Sequence, residues 1–287
     1  VNVFYSEVIT EVFGTDVSLH AVYPVSGGCI NTTVRLETSN GRYFMKWAAN
    51  SAELFERERR GLELLRSKSP LVIPKVLADG EIAGRNFLLL EWIDKGVMSS
   101  VFWTNFGTAL AEQHRQTQRT FGLDHDNHIG RLAQSNQPKA DWISFFITER
   151  IRPQLQLAQR AGVISNSLVR SFELLYPKLP DILPLEPPSL LHGDLWSGNF
   201  LPTFGEYATI FDPAVYYGHR EMELAFTHLF GGFDPLFYQA YEAEWPLQPG
   251  FHDRLDLYNL YPLLVHVNLF GAGYLEGIQT TLRRFVG

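Results

Sequence analysis

Residues 190–199 read LLHGDLWSGN, and residues 208–213 read ATIFDP. Two short apolar runs with the look of strands bracket a polar loop, and Gly193 and Gly198 permit unusual backbone turns within it. Asp194 and Asn199 share that loop, and Asp212 ends the strand-like YATIF. A lone aspartate in such a place is ordinarily a turn or cap residue. Two carboxylates and an amide carbonyl around two short strands are instead hard oxygen ligands, suited to Mg²⁺ rather than zinc. Phosphoryl transfer needs that set: one carboxylate to orient the attacking hydroxyl, an amide and a second carboxylate to hold the metal on the phosphates. Other chemistries are poorly served. His192 alone makes no zinc cluster, no G-x-S-x-G occurs, and the single cysteine has no assignable base.

Working toward the N-terminus, residues 32–47, TTVRLETSNGRYFMKW, alternate as two strands around Asn40-Gly41, the strongest short hairpin signal. A helix is expected at about 51–66, SAELFERERRGLELLR. At 100° per residue Leu54, Phe55, Leu62 and Leu65 form one stripe with Glu58 in its middle. A carboxylate aimed at a core needs a cation or a raised pKa. Lys46, on the second hairpin strand, is the candidate cation; the alternative is that Glu58 snorkels at the edge. Upstream, SGGCIN at 26–31 is either a plain turn or a glycine loop bringing N–H groups to phosphate. FLLLEWI at 87–93 reads as a covered strand. Neither a Walker A motif nor a G-x-G-x-x-G is present, so sequence order discriminates. Glycine turn, hairpin lysine, helix glutamate, apolar crossover, Asp…Asn loop and strand-end Asp follow in the protein-kinase-like order.

After Asp94-Lys95-Gly96 the character changes. Residues 101–118, 141–160 and 165–176 carry helical periodicity, as does the chain from about 219; PKLPDILPLEPP at 177–188, with its five prolines, is expected to exclude helix. The expectation is an α+β, two-lobed fold: residues 1–93 a β-rich, ATP-binding lobe, and 94–287 a mainly helical lobe carrying the catalytic loop and the substrate cleft. Clefts between lobes hold ligands.

The composition is that of a globular chain with a sizeable core: 45% hydrophobic and 19% charged. A net charge of −7 argues against a general nucleic-acid or anionic-membrane binder. One cysteine, Cys29, excludes an internal disulfide and favours a reducing compartment. No charged-apolar-small leader pattern is read at the start of the sequence, so none is expected, and the apolar stretch 261–275, broken by His266, Asn268 and glycines, is expected as a buried helix. A cytoplasmic protein is the expectation, with neither nucleic acid nor membrane as partner and the oligomeric state left open.

Taken nearly end to end, the sequence resembles the fructosamine kinases, or ketosamine-3-kinases, relatives of aminoglycoside phosphotransferases and choline kinases. The resemblance runs through VSGGCINTTVRLET, LFERERRGLELL, FGLDHDNHIGRLAQSNQ and ADWISFFITERIRPQL. HGDLWSGN with DPAVYYGHRE is its most specific part. It implies ATP and Mg²⁺, with Gly27 and Gly28 over the phosphates, Lys46 on the α/β-phosphates and Glu58 as its partner. The main chain of Glu91 and Ile93, with Trp92 between them, would bond adenine. Asp194 would be the catalytic base, and Asn199 and Asp212 the metal ligands. The implied substrates are ketosamines, sugar adducts on small amines or protein lysines, phosphorylated on the third sugar carbon's hydroxyl so that the adduct is destabilised. Only six residues separate Asp212 from His219, too few for a peptide-docking platform. One departure stands out: Glu223 occupies the place of an expected Asp, so a carboxylate bracing the loop from behind must absorb an extra methylene.

Three placements stay open at this stage. Trp196 either stacks on a sugar face or anchors the loop in the core. His219 is a substrate-side candidate or, like His266 and Asn268, a core group with a satisfied partner. Trp142, Phe145 and Phe146 sit at helical spacing and are read as core. Cys29 is either a redox-sensitive thiol in the phosphate loop or a small packed residue. A kinase of another small hydroxyl compound and a nucleotide-binding pseudokinase are the competing functions.

Overall fold

The protein is described here by a computed structural model covering residues 2–25 and 31–287. It opens with helix α1 (Asn2–Phe13) and strand β1 (Leu19–Pro24), followed by the hairpin β2 (Thr32–Thr38) and β3 (Gly41–Ala48). Asn40-Gly41 makes the turn, with Gly41 at φ +130° and Thr38 Oγ1 accepting from Asn40 N–H at 3.1 Å. Helix α2 (Ala52–Lys68) leads into strands β4 (Val76–Ile82) and β5 (Arg85–Glu91). The sheet is antiparallel with order β1-β2-β3-β5-β4, so β3 and β5 are interior.

Both faces of this sheet are covered, which is why β5 reads as an unbroken apolar run. Met45, Phe87 and Leu89 pack with Phe4, Val8 and Ile9 of α1. Leu88 and Leu90 turn the other way, onto Phe55, Leu62 and Leu65 of α2. Lys46 pairs with Leu88, so the strand's period of two aims it at α2.

The rest is mainly helical. Helix α3 (Ser100–His114) precedes the small hairpin β6 (Asn127–Ile129) and β7 (Leu132–Gln134). Helix α4 (Trp142–Phe145) passes through a π-helical stretch, Phe146–Ile151, into α5 (Arg152–Arg160), and α6 (Asn166–Leu175) follows. The proline-rich segment is not free of helix. It makes a 3-10 turn at Tyr176–Lys178 and a one-turn helix α7 (Leu179–Ile182), each with a proline in its first two positions. Proline is tolerated there because its missing N–H has no intrahelical acceptor to lose.

Strand β8 (Ser189–Leu191), the loop 192–199, β9 (Phe200–Pro202), β10 (Ala208–Ile210) and β11 (Tyr216–Gly218) then form two short antiparallel pairs. Helices α8 (Arg220–Leu229), α9 (Pro235–Glu244), α10 (Phe251–Tyr258), α11 (Leu260–Phe270) and α12 (Leu275–Val286) complete the lobe. The apolar stretch 261–275 ends as helix at Phe270, where Gly271 takes φ +97°. Among the described residues no helix is long and apolar enough to cross a membrane. Trp142, Phe145 and Phe146 are buried in the helical core, as expected.

A second apolar cluster joins the lobes: Phe55, Leu62 and Leu90 from one, Phe102, Ile210 and Val215 from the other. Behind it α3 lies directly on α9. A Cβ at Gly107 would fall 2.1 Å from Phe237 O. Gly107→Ala is therefore expected to destabilise the fold by about 1–3 kcal/mol, since the clash is with backbone that cannot rotate away. Urea unfolding checks this: the midpoint falls with the slope unchanged.

Candidate active site

The site is built where the sheet, α2 and the two short strand pairs meet. Lys46 is only 4% exposed, and its Nζ donates to Glu58 Oε1 at 2.7 Å and to Asp212 Oδ1. Burial alone would lower the Lys46 pKa, but the Asp212 and Glu58 carboxylates outweigh it and hold the ammonium above its ordinary value. Glu58 therefore does not snorkel. Its pKa is raised by burial, with Lys46 opposing and Asp212 reinforcing that shift. Asp212 itself follows β10 with φ +57°, a left-handed conformation that costs a non-glycine residue about 1–2 kcal/mol.

The loop 192–199 is held from three directions. His192 is buried; its Nδ1 accepts from Asp194 N–H at 3.3 Å, which leaves Nε2–H for Phe211 O at 2.9 Å. Burial keeps this imidazole neutral by pushing its pKa down. Gly193 has φ +84°, and a Cβ there would stand 2.0 Å from Ala214 O, so no side chain fits. Asn199 Nδ2 donates to Asp194 O at 2.8 Å and to Asp194 Oδ2 at 3.0 Å, folding the loop back on itself.

From behind, Glu223 on α8 accepts Gly193 N–H on Oε1 at 2.7 Å and His192 N–H on Oε2 at 3.1 Å. Oε2 also bonds His114 Nε2 at 2.9 Å, and His114 Nδ1 meets Tyr241 OH at 2.8 Å. The longer side chain is thus absorbed by reaching two loop amides and an α3 histidine together. Burial opposes the charge on Glu223, yet the hydrogen bonds it accepts, from His114 first and also from Gly193 N–H, bring its pKa below the ordinary 4.5.

A cleft cavity of about 520 Å³ opens in front of these groups, and Lys46, Glu58, Asp194, Asn199 and Asp212 all line it. Trp196 lines it too, 37% exposed, so its ring is no core anchor. Asn31 and Thr33 border the cavity, but Ser26–Ile30, hence Gly27, Gly28 and the thiol Cys29, lie outside the described residues. Glu91, Trp92 and Ile93 run between the lobes without lining this cavity. Glu91 N–H donates to Lys75 O at 3.0 Å, and the Trp92 indole donates to Asp94 at 3.0 Å.

His219 is a correction. It is fully buried, caps α8 by accepting Glu221 N–H on Nδ1 at 3.2 Å, and meets Pro184 O through Nε2 at 3.2 Å. Both ring nitrogens are spent on structure, so it does not reach substrate. Asn268 bonds Gln154 O and Oε1. His266 bonds Pro262 O at 2.7 Å yet also lines the cleft, beside Phe230, Phe270 and Tyr274. Those aromatics, and Asn127–Gly130 of the small hairpin, are cleft residues that the sequence did not single out. They carry no motif of catalytic type, and only the FGLDHDNHIGRLAQSNQ string marked the hairpin.

Among the described residues no group of three or more His, Cys, Asp and Glu side chains stands ready for a metal. Two carboxylates and an amide do converge, and the Asp194 carboxyl is pushed well above its ordinary range by burial and then by the like charge of Asp212. A divalent cation between hard oxygens would relieve that repulsion, so the donor set fits Mg²⁺.

A β-rich lobe carrying a lysine–glutamate pair over a helical lobe carrying an Asp…Asn loop defines a phosphotransferase of the protein-kinase-like fold. A family model for fructosamine kinases matches residues 3–287, and the chain belongs to that family. Over 270 residues it is 40% identical to a protein of Lactiplantibacillus plantarum named probable ketoamine kinase, covering 93% of this chain and 95% of that one. It is 36% identical to the chloroplastic protein-ribulosamine 3-kinase of Arabidopsis thaliana, covering 93% of this chain and 82% of the relative. A Thermobifida fusca crystal structure described as a candidate fructosamine-3-kinase superposes with TM-score 0.85 at 33% identity, over 97% of this chain and 96% of that one. Aminoglycoside phosphotransferase APH(4)-Ia, at TM-score 0.67 and 16% identity over the whole of both chains, shares the fold.

Glu223→Gln should cost about 1–3 kcal/mol of folding stability, because an amide turns donors toward donors that the carboxylate satisfied. A depressed folded-state pKa contributes stability that is complete above 4.5 and lost as pH falls through the lower folded value. The gap between wild type and Glu223→Gln should therefore close below about pH 4.5, as read by urea unfolding at several pH values.

Proposed function

We propose that the protein transfers the γ-phosphoryl group of ATP to the 3-hydroxyl of a ketosamine, on small amines or on glycated protein lysines in the cytoplasm. The observation that carries this reading is the convergence of Lys46, Glu58, Asp194, Asn199 and Asp212 on one cleft, in a chain of the fructosamine kinase family. The names of its relatives, ketoamine kinase and protein-ribulosamine 3-kinase, support the acceptor class.

In this reading Asp194 is the base. Asn199 holds Asp194 Oδ2 at 3.0 Å, leaving the other oxygen for the sugar hydroxyl. The hydroxyl proton passes to Asp194 as the new O–P bond forms, and the electron pair of the breaking bond leaves on ADP. Lys46, oriented by Glu58, meets the phosphates, and the interlobe main chain of Glu91 and Ile93 takes the adenine, with Trp92 between them. Gly27 and Gly28, outside the described residues, are proposed for the phosphates on the family resemblance alone. Asn199 and Asp212 would hold Mg²⁺, which supplies charge neutralisation on the transferring group. Trp196 offers an exposed ring face to the sugar. Residues 1–93 are assigned to nucleotide binding and 94–287 to the acceptor and the catalytic loop.

Asp194→Ala is expected to cut turnover of a ribulosamine or fructosamine by at least about 10²–10⁴-fold while nucleotide affinity stays nearly intact. Steady-state kinetics with a nucleotide titration measure both, and normal turnover would reject the assignment. Lys46→Ala and Glu58→Ala should both weaken ATP use and should be non-additive by about 0.5–3 kcal/mol in a double-mutant cycle. An acceptor panel of ribulosamine, erythrulosamine, fructosamine, choline and kanamycin tests the class: phosphorylation confined to choline or kanamycin overturns it.

A further inference from the structure

Arg150 is completely buried, and the proposed chemistry makes no use of it. It sits on the π-helical stretch Phe146–Ile151, a rare geometry that tends to occur at functional positions. Among the described residues no carboxylate stands within ion-pair distance of its guanidinium. A buried cation without an anion is costly unless its donors are well spent, and Nε is buried without a partner, so the load falls on the two terminal nitrogens. Here Nη1 donates to Ser135 O at 2.6 Å and Glu149 O at 3.0 Å, and Nη2 to Asn136 Oδ1 at 2.7 Å. The guanidinium carbon also lies 3.9 Å over the ring of Tyr216 and 4.5 Å over that of Phe145.

From Arg150 a chain of buried amides runs toward the cleft. Asn136 Nδ2 donates to Asn127 Oδ1 at 3.0 Å, and Gln134 Nε2 donates to the same oxygen at 2.8 Å. Asn127 Nδ2 reaches Val215 O at 2.8 Å, Gln134 Nε2 reaches Ala214 O at 3.1 Å, and Tyr261 OH donates to Gln134 Oε1 at 2.6 Å. The network thus pins β6–β7 to the segment just after Asp212 and to α11. Asn127–Gly130 wall the same cavity as Asp194, Trp196 and His266, whereas Glu91–Ile93 do not. Tyr216, under the guanidinium, has its Cε1 3.3 Å from where a Gly193 Cβ would be.

We propose that Arg150 is a positioning residue for the acceptor: its planar fork sets the Asn136–Asn127–Gln134 network, and that network fixes the β6–β7 hairpin as the wall against which the acceptor is held. This rests on the reading of the cleft as a ketosamine site. The fork matters more than the charge, because Ser135 O and Asn136 Oδ1 are served together by two nitrogens in one plane.

The test compares Arg150→Met, Arg150→Lys and Tyr261→Phe with wild type. In Arg150→Met the KM for the ketosamine should rise about tenfold with the KM for ATP unchanged, the loss of a charged hydrogen bond's worth of positioning. Amide hydrogen exchange across 127–134 should quicken in the same variant. Arg150→Lys should not restore either readout, since one ammonium cannot reproduce the fork. Tyr261→Phe, which removes a single hydroxyl at the far end of the network, should raise the ketosamine KM about twofold to fivefold, and it decides the matter alone if Arg150→Met does not fold. Unchanged ketosamine KM and unchanged exchange in folded variants overturn the proposal, as do ketosamine and ATP constants rising together or full rescue by lysine. If wild type itself ignores ketosamines, the functional reading fails, and hydrogen exchange still tests the hold of Arg150 on the hairpin.

Discussion

Everything in this cleft is arranged around one buried ammonium. Lys46 comes from the interior of the sheet, Glu58 from the helix over that sheet, and Asp212 from the end of a strand in the other lobe. Lys46 and Glu58 would each be expensive to bury alone, and the ammonium is fully paired only when all three elements are in register. The contact therefore does two things at once. It sets the height of the β-rich lobe over the helical one, and it leaves Asp212 in a left-handed conformation beside the Asp194 loop.

The loop 192–199 is fixed through its backbone more than through its side chains. Glu223 takes the amides of His192 and Gly193, His192 reaches over to Phe211 O, and Ala214 N–H returns to His192 O at 2.9 Å. Gly193 is pressed so close to Ala214 that a side chain is excluded. A loop tied in this way has little left to reorganise when a substrate arrives, which is where preorganised electrostatics gain their effect. Glutamate in place of aspartate at 223 does not loosen it. Glu223 also bonds His114, linking the loop to α3.

Much of this was legible in the chain. The Asn40-Gly41 hairpin, the stripe on α2 with Glu58 inside it, and the LLHGDLWSGN loop each carry a local signal: a turn dipeptide, a helical period, a polar cluster between apolar runs. The less legible parts have physical reasons. Strands β6 and β7 are too short to show a period, and their polar side chains find partners at Ala214, Val215 and Tyr261, far along the chain. The prolines of 177–188 look like helix breakers, but at the first positions of a helical turn they break nothing. His219, so close behind Asp212 in sequence, is turned into the core by its role as a helix cap.

What the sequence determined by itself was the kind of chemistry and the order of its parts, because residue type and spacing decide which oxygens and which ammonium are on offer. The tertiary structure alone decided which of them meet. Lys46 binds Asp212 as well as Glu58, Glu223 grips the loop from behind, and Arg150 is buried beneath the cleft wall with no carboxylate partner among the described residues. Those contacts join residues up to 166 positions apart. No local period encodes them; they exist only once two apolar cores have closed around the groups and taken away the water that would otherwise have solvated them.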